Sequence, residues 1–461
     1  MKKQLTNSQS LFILMLMGAS ALSSAANAEE LSGAWRITFD TGRFGPMEAR
    51  VVFTETADGV TGESQSGALE IIRTSPGAAD RDFGDALLAI SLTEDGEAYK
   101  GEARIADRDG EMTLTLAGDH IEGRIKGSFV NGPFTGVRDD SEGALRDYPA
   151  ILSGLGPVVT ANIFNPKDLD SAGYKTFMAR MADVAAAAQD DLDMVAGFYY
   201  GWNNDPFSHF DLSRTSLGAE AFMASLDDYK IGAPAARVTF DGDVAILDVD
   251  TMMGADTIDY INAAYDEIAA KGAKALIIDL RDNGGGAFAV KPLVEHVIDA
   301  PLDAGYFITQ KWNAAHEGLP SRAEVEATAP WEGWSLVDFW RTLQEVPIMR
   351  IQFTPAEPNF NGPVFVVVNG ETASAAEMAA DALRSSGAAT LIGSRTIGRL
   401  LSQSPFDVTD DYIISLPVAD YYSLAHGRIE GAGVPPQTYA PSDMALGAAV
   451  AKAKEAIGST E

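Results

Sequence analysis

The chain has no cysteine among its 461 residues, which excludes a disulfide framework, thiolate metal sites, a cysteine nucleophile and acylation of an N-terminal cysteine. Any nucleophile is therefore an oxygen or an amine. Basic residues are few, with 34 Lys and Arg against 66 Asp and Glu and a formal charge of −32. That balance disfavours partners held through phosphates, so nucleic acid is not an expected ligand. Long apolar runs are missing as well. The strongest, Leu11 to Leu22, falls short of the ~20 residues a membrane-spanning helix needs. With 46% hydrophobic and 22% charged residues, the composition excludes a disordered or collagen-like chain and points to a soluble globular one. Its length fits about two to three domains.

At the start, Lys2 and Lys3 precede the short apolar run, and Ala26-Asn27-Ala28 supplies a small-x-small cleavage site. Residues 1–28 read as a cleaved signal peptide, which places the mature protein in the periplasm or outside the cell. From Leu31 to about Arg138, short runs alternate apolar and polar residues, as in Trp35-Arg36-Ile37-Thr38-Phe39. Asp58-Gly59, Asp95-Gly96 and Asp109-Gly110 are expected as the tight turns between them. Residues 29–140 are thus an all-β accessory domain, a sandwich or a small barrel.

Residues 141–235 carry helical spacing, most clearly from Tyr174 to Phe198, and form an expected helical subdomain. It runs into a loop, Gly201 to His209, rich in Asn, Asp and Pro. Residues 236–461 alternate β and α signals. Ala275 to Leu280 and Val364 to Val368 are buried-strand runs, each followed by a turn of small residues and a helix, over about Ala287–Ile298 and Ala375–Arg384. Strand ends of this kind are where α/β sheets place ligands.

The first turn holds Gly284-Gly285-Gly286, which fits either a tight turn or a site where backbone amides approach an anion or oxyanion. It matches neither the P-loop nor the dinucleotide fingerprint. The second holds Ser374 among small residues, in Asn369-Gly370-Glu371-Thr372-Ala373-Ser374-Ala375-Ala376-Glu377. On local sequence Ser374 reads first as a helix N-cap and second as a nucleophile beside unpaired amides.

Four ordered blocks resemble the S41 serine peptidases, the family of the C-terminal processing and tricorn proteases: Ala275 to Gly286, Thr372 to Glu377, Gly393-Ser394-Arg395-Thr396-Ile397-Gly398, and Glu430-Gly431-Ala432-Gly433-Val434-Pro435-Pro436. The resemblance covers about residues 236–456. It implies a crotonase-like ββα core, Ser374 as nucleophile, and an oxyanion hole from the amide of Ala375 and that of Gly285 or Gly286. It implies no metal and no cofactor, and polypeptide as substrate.

Two departures matter. Tail-specific members carry a lysine base after Thr-x-Gly, where this chain has Arg399, and a guanidinium stays protonated at any usable pH. The tricorn-like branch uses instead a histidine preceded by a serine, with a distant glutamate, and Ser208-His209 and Glu430 match those parts. An imidazole is a suitable base near neutral pH. His209 also fits a hydrogen-bonded loop histidine, and His426, close to Glu430 in sequence, is a rival base. Arg399 reads as a ligand for a substrate carboxylate, a partner of Glu377, or a solvated side chain. The second departure is that no PDZ domain fits between His209 and Val238. The expected function is an exported serine peptidase using Ser374, His209, Ser208 and Glu430. The competing expectation is a catalytically inactive S41-like binding or scaffold protein, and the third an esterase or amidase using the same serine.

Overall fold

The structure is a computed structural model that describes residues 28–42, 44–202 and 207–458. The leader expected over residues 1–28 lies outside them but for Ala28. No helix among the described residues is long and apolar enough to cross a membrane.

Eight antiparallel strands form a closed barrel: β1 (Gly33–Asp40), β2 (Pro46–Thr56), β3 (Gly59–Ser64), β4 (Leu88–Asp95), β5 (Ala98–Ile105), β6 (Arg108–Ala117), β7 (His120–Gly127) and β8 (Asn131–Arg138), with β8 pairing back to β1. Alternation aims every second side chain inward, and Trp35, Phe39, Phe53, Tyr99 and Phe134 fill the interior with 2% exposure or less. Truncating one of these rings would cost about 3–5 kcal/mol. Asp58 and Gly96 stand in the β2–β3 and β4–β5 turns as expected. The third turn falls elsewhere: Asp109-Gly110 lies within β6, and the chain reverses at Ala106-Asp107, with Ala106 at φ 53°.

Beyond the barrel come helices at Tyr148–Asn162, Ala172–Ala187 and Asp191–Gly201. The helical pattern expected as continuous from Tyr174 to Phe198 breaks at Ala188, because Asp190 begins a new helix by accepting the Asp193 amide at 3.1 Å. This helix start joins the barrel to the rest of the chain. Asp190 accepts the Arg50 amide at 3.0 Å, and Asp193 accepts the Gly67 amide at 3.1 Å and the Ser66 hydroxyl. Asp191 accepts the Glu48 amide at 3.0 Å, Arg146 at 2.8 Å, and the hydroxyls of Tyr148 and Tyr412 at 3.0 and 2.7 Å. Burial raises the carboxyl pKa of Asp190 and of Asp193.

After β9 (Asp211–Arg214), the larger unit is built from two sheets. One contains β10 (Ala236–Asp241), β11 (Val244–Val249), β12 (Ala275–Asp279), β15 (Val364–Val368), β16 (Ala389–Gly393) and β20 (Thr438–Tyr439), in that spatial order. β10 is antiparallel to β11 and the remaining pairs are parallel. Every residue of β12 and β15 is buried, as their unbroken apolar runs require of central parallel strands. The other sheet runs β13 (Leu302–Thr309), β14 (Ile348–Phe353), β17 (Leu401–Thr409), β18 (Tyr412–Ser423) and β19 (Gly427–Arg428), in the order β14-β13-β18-β17 with β9 and β19 also on β18.

Helix Ser442–Gly458 lays Ala445, Ala449 and Ala453 on Val244, Ala275, Ile277, Phe365 and Val367. The i, i+4, i+8 stripe of alanines lets it sit close to the sheet. The helix expected from Ala287 to Ile298 is shorter, Val290–Glu295. That expected at Ala375–Arg384 spans Ala375–Ser385, with Gly387 beyond its end at φ 76°.

Candidate active site

Two loops leave the carboxyl ends of the neighbouring parallel strands β12 and β15 and are tied together by polar side chains. Thr372 donates to the Leu280 carbonyl at 2.7 Å, and the Ala373 amide donates to the Asn283 carbonyl at 2.9 Å. Asn369 accepts the Asp282 amide at 3.1 Å and donates to the Asp282 carboxylate at 2.8 Å and to the Ser442 hydroxyl at 3.1 Å. Arg281 reaches the Ser442 carbonyl at 2.8 Å. The start of helix Ser442–Gly458 therefore touches both loops.

Ser374 sits at φ 55°, ψ −123°. An ordinary N-cap serine has extended backbone angles, and a non-glycine residue at this positive φ is strained by about 1–3 kcal/mol. The neighbours hold it there. Its amide donates to Glu377 Oε2 at 3.0 Å, and a Cβ at Gly285 would lie 2.5 Å from the Ser374 Cβ, so the loops meet only because residue 285 lacks one. A serine on a sharp strand-to-helix turn has the backbone setting of a nucleophile elbow.

Among the expected oxyanion donors, the Gly285 amide is already committed to Asn283 Oδ1 at 2.9 Å. Gly286 and Ala375 both line the cavity that Ser374 opens onto. Gly286, at φ 146°, packs against Met252.

The sequence blocks after Ser374 converge on two buried carboxylates. Glu377 accepts the Thr396 hydroxyl at 2.5 Å and the amides of Gly398 and Arg399, each at 2.8 Å. Burial nevertheless raises its pKa, the hydrogen bonds pulling the other way. Glu430 accepts the amides of Leu400 and Leu401 on Oε2, the second at 3.0 Å, and meets His209 Nε2 with Oε1 at 3.0 Å. Four consecutive amides, Gly398 to Leu401, are thus held by two carboxylates. The Ser374 amide hangs on one carboxylate and an imidazole on the other. Thr396 also accepts the Val434 amide at 2.6 Å, and Arg395 donates to the Ala432 carbonyl at 2.9 Å, fixing the Glu430 loop.

His209 ends a short turn, Phe207–His209, on which residues 203–206 and the side chain of Ser208 lie outside the described residues. The His209 carbonyl accepts from Gln403. The other histidines have different settings. His426 contacts buried Asp381 at 2.7 Å, His296 lies between the Pro358 carbonyl and Asn262, His316 stacks on Trp312, and His120 opens β7 of the barrel. Arg399 contributes its amide to Glu377, and its side chain is exposed.

In the sequence Glu377 stands out only as a partner for Arg399, and Asn283 and Asn369 carry no role there. The signal was present in their positions, polar residues buried at the ends of apolar strands, which demand partners.

Residues 243–440 match the family model for peptidase family S41. This part of the chain is similar to peptidase family S41. A carboxyl-terminal-processing protease of Synechocystis is 28% identical over 227 residues, 49% of this chain and 43% of that protein. The chloroplastic carboxyl-terminal-processing peptidase 1 of Arabidopsis thaliana is 36% identical over 173 residues, 38% of this chain and 29% of that protein. The chain therefore spans less than half the length of the curated relatives it matches. Among solved structures, the photosystem II D1 C-terminal processing protease aligns at TM-score 0.34 and 20% identity, covering 51% of this chain and 49% of that one. Within the S41 stretch, Arg399 occupies the position after Thr396-Ile397-Gly398.

Proposed function

We propose that the chain is an exported serine peptidase that hydrolyses peptide bonds through an acyl-enzyme on Ser374. The observation that carries this reading is the Glu430 contact, in which one carboxylate orients the His209 imidazole and steadies the segment beside the nucleophile. With Nε2–H donated to Glu430, the other ring nitrogen takes the Ser374 proton as Oγ attacks the substrate carbonyl. The amides of Ala375 and Gly286 receive the developing negative charge. His209 then returns the proton to the departing amine as the C–N bond breaks, and water releases the acyl group by the same route. Ser208 helps to orient the base, and Arg399, exposed near the nucleophile turn, receives a substrate carboxylate. The pair His209–Glu430 takes the place of a lysine base, which Arg399 cannot supply.

We read the β11–helix–β12 unit as the crotonase-like core, and divide the chain into a leader (1–28), barrel domain (29–140), helical subdomain (141–235) and catalytic part (236–461). Export rests on the leader. The binding-protein alternative is not favoured by the comparisons, since both curated relatives are named as a protease or peptidase. The test is cleavage of an unfolded polypeptide by the wild type, Ser374→Ala and His209→Ala. Loss in both variants supports the peptidase, and a folded but inert wild type rejects it. A panel of ester and amide substrates separates peptidase from esterase.

A further inference from the structure

Building on Ser374 as nucleophile, we infer that the cavity beside it is a specificity pocket for a ring-sized or branched apolar side chain on the acyl side of the cleaved bond. The cavity measures about 200 Å³ and has Ser374, Ala375 and Gly286 in its lining. An apolar protein cavity of about 150 Å³ accommodates benzene, so an aromatic side chain fits. Its walls are Trp331, Trp334, Trp340, Phe288, Phe339 and Met378 among other apolar residues, and no Asp, Glu, Lys or Arg is among the residues lining it. A charged side chain entering it would lose water without gaining a partner.

The wall is packed in advance of any ligand. Trp331 lies 5.3 Å from Trp334, 5.2 Å from Phe339 and 5.6 Å from Phe288 between ring centroids. Trp331, Trp334 and Trp340 are only half-buried, so a ring entering the pocket removes their remaining apolar surface from water along with its own.

Bond geometry decides which substrate residue enters. The acyl-side Cα is bonded directly to the attacked carbon at ~1.52 Å, while the leaving-side Cα is a C–N and an N–Cα bond away. The leaving nitrogen must face His209 to collect its proton. His209 itself is not among the residues lining the cavity, although Gln403, which donates to its carbonyl, and Leu400 and Leu401, whose amides hold Glu430, are. The side chain on the acyl-side Cα, one bond from the attacked carbon, is therefore the one assigned to the pocket.

The test uses the full chain and peptides that differ only in the residue before the cleaved bond: Phe, Leu, Ala or Asp. Phe and Leu should exceed Ala in kcat/KM by roughly 10–200-fold, with Asp poorest. Trp340→Ala, or Leu336→Ala if the first variant does not fold, should lower the Phe-to-Ala ratio of kcat/KM. In parallel, Ser374→Ala is titrated with labelled peptides ending in Phe or Ala, where no chemistry occurs, and the Phe peptide should bind at least about tenfold tighter. Ser374-dependent cleavage with no preference across the series overturns the pocket and leaves the nucleophile standing. A Phe preference in binding with no cleavage of any peptide keeps the pocket and rejects the hydrolase. Equal binding of both labelled peptides overturns the pocket regardless of activity.

Discussion

Two groups of buried carboxylates in this molecule have different partners. Asp190, Asp191 and Asp193, at the junction with the barrel, accept from elements far apart in sequence, including Arg50 and Glu48 of β2, Arg146 and Tyr412. Glu377 and Glu430 share out a single four-residue segment and one imidazole. The first arrangement ties separate bodies together. The second fixes the relative placement of a few atoms around the Ser374 turn, although its His209 contact reaches as far along the chain as the Tyr412 contact of the first. Burial of acid is therefore not itself a sign of chemistry; what the carboxylates hold in place is the informative quantity.

That distinction is tested most strongly at the nucleophile. Ser374→Ala should reduce peptide cleavage by at least ~10³-fold, and Glu430→Gln by roughly 10²–10⁴-fold, with circular dichroism unchanged. At the junction the expectation is inverted. Asp191→Ala strands two buried tyrosine hydroxyls, while Arg146 keeps Glu48 and Asp411, and should cost about 1–3 kcal/mol in urea unfolding, while kcat of the folded fraction stays near the wild-type value. If Asp191→Ala abolished kcat in protein shown to be folded, the division between the two groups would fail.

A pH experiment sharpens the same contrast. Asp420, buried beside Arg428 and near Glu430, has its carboxyl pushed up to about 6, chiefly by desolvation. Because the folded pKa exceeds the unfolded one, its favourable contribution is complete below about pH 4. It is lost as the pH rises through about 6. Relative to Asp420→Asn, the wild type should lose on the order of 3 kcal/mol across that window. A flat difference between the two unfolding curves would remove the assignment.

Smaller effects follow at the edges of the site. Glu377→Gln loses acceptors for several amides and should lower stability by about 1–3 kcal/mol, with a drop in kcat because the Ser374 turn loosens. Arg399→Ala should leave stability within about 0.5 kcal/mol and raise KM only for peptides carrying a nearby carboxylate. An unchanged KM would return Arg399 to a solvated side chain.

Much of the scaffold was legible because it obeys periodicity. The alternation in β1, the turns at Asp58 and Gly96, and the apolar runs of β12 and β15 all announce themselves in sequence. The β5–β6 turn did not, since an alanine takes the positive φ while the Asp-Gly pair two residues on continues the strand. Periodicity likewise carried the helical pattern straight through Asp190, which caps a new helix with one oxygen and accepts a barrel amide 140 positions away with the other. The Ser374 turn and the His209–Glu430 residues could be singled out from motif blocks. The cavity wall could not, because Trp331 and Trp334 occupy an irregular stretch and Trp340 the helix Leu336–Glu345 that follows it, and their side chains acquire a common face only after folding.

Helix Ser442–Gly458 grips both strand-end loops at its first residue, one through Arg281 and the other through Asn369. With no methyl group at position 285 between those loops, the first residue of that helix and the Ser374 turn are joined through a few short polar contacts, so a substitution that shifts the helix start is expected to be felt at the Ser374 turn.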